Sequence, residues 1–373
     1  MIIKGVVKKD RKTKDLVKRL KPGDIAIINH KDLDEIAATS LAESKVRCIL
    51  NLDKTISGKY PNQGPNILLK AGIPIFECSD KDIFNVLDEG DIIELKDNTI
   101  VYKNDSIAPC EELDNEKIQQ LLNIGYDNIE KELDKFIENT LEYAKKEKGL
   151  VLGNIDIPEV NTKMKGRHVL VVVRGKDYKK DLMAMKNYIN EMNPILIGVD
   201  GGGDALLEFG YTPDIVIGDM DSVSDNCLKT SKEIIVHAYT NGKAPGLERV
   251  KNLGLNAVIF PSPGTSEDIA LLLAYSNYAD LIVAVGTHNS MIDFLEKGRS
   301  GMASTFLVRL KVGSKLIDAK GVNKLYRSSL KPRYMIWLAA AALIPIVVLT
   351  LLFPPMKELV QLMQIKLKTL FGF

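Results

Sequence analysis

The sequence predicts an α/β protein: a doubly wound, mostly parallel sheet over residues 166–330, a small α/β or β-rich domain before it, and one C-terminal transmembrane helix. Three observations carry this. From His168 onward, short strands apolar on both faces alternate with helical stretches, as a parallel sheet covered on both sides requires. Upstream, DIAIINH and VRCILN read as strands around a helical LDEIAATSLAES. Downstream, residues 335–353 (MIWLAAAALIPIVVLTLLF) are nineteen uncharged and almost wholly apolar positions.

Residues 1–110 form the N-terminal domain. SGKYPNQGPN is turn chemistry, and IIEL with TIVY reads as a closing β pair. His30, Asp32 and Ser57 sit where strands end, as turn residues or as part of a second site. Residues 111–165 make a charged helical linker. Leu122, Ile129, Leu133, Phe136, Ile137, Thr140 and Ala144 recur in it at threes and fours, fit for bridging domains or pairing with a partner helix. The strands of the third segment (166–330) are HVLVVV, PILIGV, DIVIG, EIIVHA, NAVIF and LIVAVG, with helices such as DLMAMKNYINEMN, GDALLEFG and SEDIALLLAYSNYA between them.

As a helix, residues 335–353 span roughly 28 Å at about 1.5 Å per residue, near the ~30 Å hydrocarbon core. Tyr334 and Trp337 stand at one interface, and Pro345 predicts a kink. Lys320, Lys324, Arg327, Lys331 and Arg333 upstream outnumber Lys357, Lys366 and Lys368 downstream, which keeps the N-terminal part in the cytoplasm of a single-pass cell-membrane protein. The tail, residues 354–373, reads as a short amphipathic helix.

Net charge is +1, from 50 basic and 49 acidic residues, so overall charge points to no nucleic acid. The basic run KKDRKTKDLVKRLK contains acids and no aromatics, and reads as a solvated face. Cys48, Cys78, Cys110 and Cys227 are far apart, and only four histidines are present. This pattern argues against structural zinc and for a reducing compartment.

Ligands of a doubly wound sheet bind beyond the carboxyl ends of its strands. Those ends read Arg174-Gly-Lys, Asp200-Gly201-Gly202-Gly203, Gly218-Asp219-Met220-Asp221-Ser222, His237, Pro261 through Asp268, and Gly286-Thr287-His288. Neither a GxGxxG fingerprint nor a Walker A lysine motif occurs. The glycines after Asp200 suit close approach of a phosphate to the backbone. In an extended chain Asp219 and Asp221 face one side, roughly 7 Å apart at Cα, and reach one hydrated Mg²⁺. Two carboxylates 4 Å apart repel by about 4 kcal/mol at an effective dielectric of 20, so such a pair calls for a cation or a proton. The alternative is that Asp221 and Ser222 cap the next segment. Thr265, Ser266 and Asp268 fit either a helix cap or a ligand set. His288 fits a turn, and Lys297 and Arg299 fit surface charges or phosphate contacts.

These motifs resemble the nucleotide-binding core of thiamine pyrophosphokinases over roughly residues 170–300. The shared elements are the DGG turn at Asp200–Gly202, Pro213-Asp214 through Ser222, and Asp268 in TSED. The resemblance implies Mg²⁺ held by Asp219, Asp221 and Asp268. It also implies ATP positioned by Asp200, Gly201, Gly202, Gly203, Ser222, Thr265, Ser266 and His288, with Asp219 and Asp221 as the catalytic pair. A fuller resemblance covers nearly the whole chain. TISGKYPN, GVDGGGDALL, GDMDSVSD, HAYTNGKAPGLERV, GTSEDIALLLAY, GTHNSMIDFLEKGRSGMASTFLVRL and DAKGVNKLY, with the C-terminal membrane helix, are similar to the SteA family of cytokinetic-ring proteins of Gram-positive bacteria.

That family implies a role in cell division or separation at the septum. It also implies division-site proteins, the membrane, a small phosphorylated ligand and a second copy of the chain as partners. The kinase signatures are incomplete: PGTSED stands for KDxTD, Phe294 follows Asp293 where a histidine is expected, and a C-terminal β-sandwich has no room. The expectation is a membrane-anchored nucleotide- or phosphate-binding factor, with an active thiamine diphosphokinase-type enzyme as the alternative.

Overall fold

The computed structural model describes residues 2–322 except Asn154, Asn289, Lys297 and Gly298, together with scattered positions between Trp337 and Thr369. The chain divides into a compact unit, Met1–Val322, and a second, Asn323–Phe373. Among the described residues no helix is long and apolar enough to cross a membrane. The span expected at 335–353 and the tail at 354–373 lie partly outside the described residues.

The first sheet has strands β1 (Ile2–Asp10), β2 (Ile25–Ile28), β3 (Cys48–Asn51), β4 (Ile75–Glu77), β5 (Ile92–Lys96), β6 (Thr99–Tyr102), β7 (Asp105–Pro109) and β8 (Glu111–Glu112). Their order is β7-β6-β5-β1-β2-β3-β4-β8, so this part is α/β, with four parallel strands at its centre. Asp97-Asn98 and Lys103-Asn104, all at positive φ, make the two-residue turns that join β5 to β6 and β6 to β7. Alternate residues of β2 feed two cores: Ile25 and Ile27 pack with Val7 and Leu50, while Ala26 and Ile28 pack with Leu16 and Leu41. Helix Asn115–Asp127 adds Ile118 and Leu122 to the latter, so the start of the 111–165 segment belongs to this core.

The second sheet has β9 (His168–Val172), β10 (Ile195–Val199), β11 (Ile215–Gly218), β12 (Glu233–Ala238), β13 (Val258–Pro261), β14 (Leu281–Val285) and β15 (Leu316–Asp318). All pairings are parallel, in the order β13-β12-β11-β10-β9-β14-β15. The chain winds outward from β9 to β13, then crosses back to lay β14 on the other side of β9, the doubly wound arrangement. Val169 and Val171 face helix Ser266–Ser276, whose middle is buried all round. Leu170 and Val172 face Leu182, Ile189 and Leu206 on the opposite side. Both faces being dry explains why these strands are apolar at every position.

Candidate functional site

The carboxyl ends of β10 and β11 bring Asp200 and Asp219 together. Asp200 adopts a left-handed backbone (φ 46°), and its carboxylate accepts the Met220 N–H at 3.3 Å. Gly218 is required beneath it: a Cβ there would stand 1.8 Å from Asp200 Oδ1. Burial, reinforced by the negative charge of Asp219, pushes the Asp200 carboxyl up to about 7. Asp219 and Asp221 are both exposed.

The Asp219–Asp221 segment is not extended. Met220 has φ 66°, and the Asp221 N–H donates to Asp219 Oδ1 at 3.0 Å, an Asx-type turn. The face-sharing argument for a strand therefore fails here, and the carboxylate pair is Asp200 with Asp219, across two strand ends. Met220 plugs its side chain into a core with Val223, Cys227 and Val250. Arg249 donates to the Met220 and Val223 carbonyls and pairs with Asp225. Gly246 packs so closely that a Cβ would lie 2.3 Å from the Asp219 carbonyl oxygen. The acidic loop is thus held from three sides.

Capping of helix Asp225–Thr230 falls to Ser224, not to Asp221 or Ser222. Ser224 Oγ accepts the Cys227 N–H at 3.1 Å, while its own N–H donates to Asp204 at 2.9 Å. Ser222 instead accepts a bond from Lys14 Nζ at 2.9 Å. Of the three glycines after Asp200, Gly202 and Gly203 are packed against protein: Cβ atoms there would lie 1.9 Å from the Val172 carbonyl oxygen and 2.7 Å from Cys227 Sγ. Gly201 abuts the Arg174 side chain. Beside this loop lies a cleft of about 790 Å³ lined by Lys18, Arg174, Asp204, Asp221, Ser222 and Arg249, among others.

The other predicted residues gather in a separate place. Thr265 and Asp268 form a reciprocal capping box at helix Ser266–Ser276, with both bonds at 3.0 Å. Asp268 is fully buried. Its Oδ2 also accepts from Ser304 at 2.8 Å and Thr305 at 3.2 Å, and burial raises its carboxyl above the usual range. Ser266 Oγ lies 3.2 Å from His237 Nδ1, while His237 Nε2 donates to the Ser262 carbonyl. His288 is buried against Glu267 at 3.3 Å. Phe294 fills a core with Phe136, their rings 6.2 Å apart. Lys297 lies outside the described residues. In the first domain Asp32 accepts the Ser57 N–H and hydroxyl at 2.7 and 2.9 Å, and His30 meets Thr13 at 2.9 Å; these bonds close loops.

Among the described residues, no group of three or more His, Cys, Asp or Glu side chains is arranged to hold a metal ion. Mg²⁺ does not need one, because it keeps several waters and takes one or two carboxylates plus phosphate oxygens. A buried carboxylate beside a second one, as at Asp200 and Asp219, is a donor set that a cation would relieve. Sequence reasoning passed over Lys14, Lys18 and Arg249. The lysines lie in a basic run with the pattern of a solvated face, and Arg249 lies within HAYTNGKAPGLERV, away from any strand end.

The family model described as the SteA-like C-terminal domain matches residues 320–371. A curated relative, the 6-hydroxymethyl-7,8-dihydropterin pyrophosphokinase of Methanocaldococcus jannaschii, is 28% identical over 152 residues. The match covers 35% of this chain and 63% of the relative, so the chain spans less than two thirds of that protein. Of the solved structures, Bacillus subtilis thiamine pyrophosphokinase is 20% identical with a TM-score of 0.25, covering 41% of this chain and 59% of that one. A 3-isopropylmalate dehydratase from Methanocaldococcus jannaschii is 17% identical with a TM-score of 0.22, covering 39% and 99%. Both TM-scores are low, and neither likeness carries weight for function. The chain is SteA-like at its C-terminus and similar in sequence to a pyrophosphokinase.

Proposed function

We propose that the chain binds a Mg²⁺-complexed nucleotide, or a related phosphorylated ligand, at the acidic loop following β11, and acts as a membrane-anchored factor in bacterial cell division or separation. The meeting of a buried Asp200 with Asp219 at two adjacent strand ends supports the binding site most directly: burial first and the Asp219 charge second push the Asp200 carboxyl up to about 7. Asp200 and Asp219 would hold the ion, which when bound supplies positive charge for phosphate oxygens. The chain's own share is positioning. Arg249 and the Met220 plug fix the loop, and Gly218 seats the Asp200 carboxylate.

Residues 335–353 are proposed as a single-pass anchor that leaves the large N-terminal part in the cytoplasm at the septum, a reading supported by their uncharged run and the basic residues before it. Division-site proteins and a second copy of the chain are the proposed partners.

A second reading is a pyrophosphotransferase that moves pyrophosphate from ATP to thiamine or a related alcohol. The name of the curated relative favours it. The seclusion of Asp268, fully buried and bonded to Ser304 and Thr305, favours binding without turnover, since one expected carboxylate is turned to structural use.

Titrating ATP into the purified full-length chain, with Mg²⁺ and then with EDTA, tests both. Mg²⁺-dependent binding that disappears in Asp219→Asn, without AMP release in the presence of thiamine, is the expected result. AMP formation would favour the enzyme, and no nucleotide binding would refute both. A fluorescent fusion that stays uniform around dividing cells would refute the septal role.

A further inference from the structure

The basic run near the start of the chain reaches the acidic loop of the second sheet. Helix Thr13–Val17 carries Lys14, whose ammonium donates to the Ser222 hydroxyl at 2.9 Å although 208 positions separate them. Lys18, at the end of that helix, lines the same cleft of about 790 Å³ as Arg174, Asp221 and Ser222. The first domain therefore places two cations beside the loop that carries Asp219 and Asp221.

The chemistry of this cleft suits a polyphosphate that brings its own metal ion. The described partner of Lys14 is a neutral hydroxyl, and a phosphate oxygen outcompetes it because it adds a Coulombic attraction to the ammonium that the hydroxyl lacks. Lys18 and Arg174 are engaged by Asp15 at 2.8 Å and Glu208 at 2.9 Å, in pairs open to solvent. Exposed pairs of this kind are weak enough to exchange for a tighter anion. Asp204, Asp221 and Asp225 also line the cleft. Ser224 already bonds Asp204 and Arg249 already pairs with Asp225, whereas Asp221 disfavours a bare anion, so a ligand carrying both signs of charge fits these walls better than a bare phosphate.

We infer that Lys14 and Lys18 are the phosphate-binding half of the site, gripping a metal-complexed di- or triphosphate from the first domain while the acids of the second hold its cation. This rests on the acidic loop being a Mg²⁺–phosphate site. It goes beyond that reading by requiring both domains for binding and by naming the polyphosphate as the recognised group.

The test uses the full-length chain with Mg²⁺–tripolyphosphate as the calorimetric probe. Lys14→Gln/Lys18→Gln is expected to bind at least tenfold more weakly than wild type, with less salt dependence and an unchanged Tm. Lys14→Arg/Lys18→Arg is expected to recover most of the affinity. Lys4→Gln, which removes a pair with Glu94 on the first sheet, is expected to change nothing. If the double glutamine variant binds as tightly as wild type, the lysine assignment is overturned and the acidic-loop reading stands. If the wild type binds neither tripolyphosphate nor ATP, both are overturned.

Discussion

Ser304 donates to Asp268 Oδ2 over 2.8 Å, tying helix Ala303–Val312 to the first turn of helix Ser266–Ser276. Asp268 is fully buried there and also closes the capping box with Thr265. Removing it strands the Ser304 and Thr305 hydroxyls and the Thr265 N–H. Asp268→Ala is expected to cost about 2–4 kcal/mol in urea unfolding, from a lost cap and unpaired buried groups. Asp268→Asn keeps the shape and should cost less, since burial already disfavours the charged form.

Close packing at the DGGG turn gives a second expectation. A Cβ on Gly202 would lie 1.9 Å from the Val172 carbonyl oxygen, and backbone cannot swing aside. Gly202→Ala should destabilise by more than about 2 kcal/mol, measured by thermal melting. Gly201→Ala crowds the flexible Arg174 side chain, at 2.7 Å, with the Ser222 carbonyl oxygen at an ordinary 3.4 Å, and should be much milder.

Glu296 is half-buried near Asp34, Glu35 and Asp293, with Lys176 opposing them. Burial first and these acids second push its carboxyl from 4.5 to about 7. The folded state then holds a proton that the unfolded chain has released between those pH values. The associated stability is present below about 4.5 and is lost as pH rises through 7. Glu296→Gln should match wild type in unfolding free energy near pH 4 and exceed it near pH 8, by on the order of 1 kcal/mol after allowing for partial solvation, as read from urea unfolding at the two pH values. A difference independent of pH would show that Glu296 does not titrate in this window.

All four cysteines are buried and unbridged. Burial pushes Cys48 and Cys227 up to about 12 and Cys110 to about 11, so little thiolate exists at neutral pH. Native protein should react slowly with a disulfide-exchange reagent and release four equivalents only once unfolded. Fast labelling of any one cysteine in the native state would contradict this.

Much of the fold was legible because strand runs are local. The two-sided apolarity of LIVAVG or ILIGV reports a covered parallel sheet without reference to any other residue. β15 was not legible: its three residues are too few for a periodicity, and it exists because β14 offers it an edge. Of the candidate site, Asp200 and Asp219 could be found by asking which acids end apolar strands. The lysines could not, because Lys14 meets Ser222 only after the two domains have packed.

The sequence by itself determined the alternation of strands and helices, the acidic and glycine-rich strand ends, and the uncharged run at 335–353. Each depends on side chains a few positions apart, whose effect is fixed by backbone geometry. Only the tertiary structure decided which acids meet. A left-handed Met220 turned Asp221 away from the strand geometry expected for it, and Gly218 let Asp200 settle beside Asp219. Asp268 went to a buried cap instead. Such choices depend on close packing and desolvation between segments remote in the chain, which local pattern does not encode.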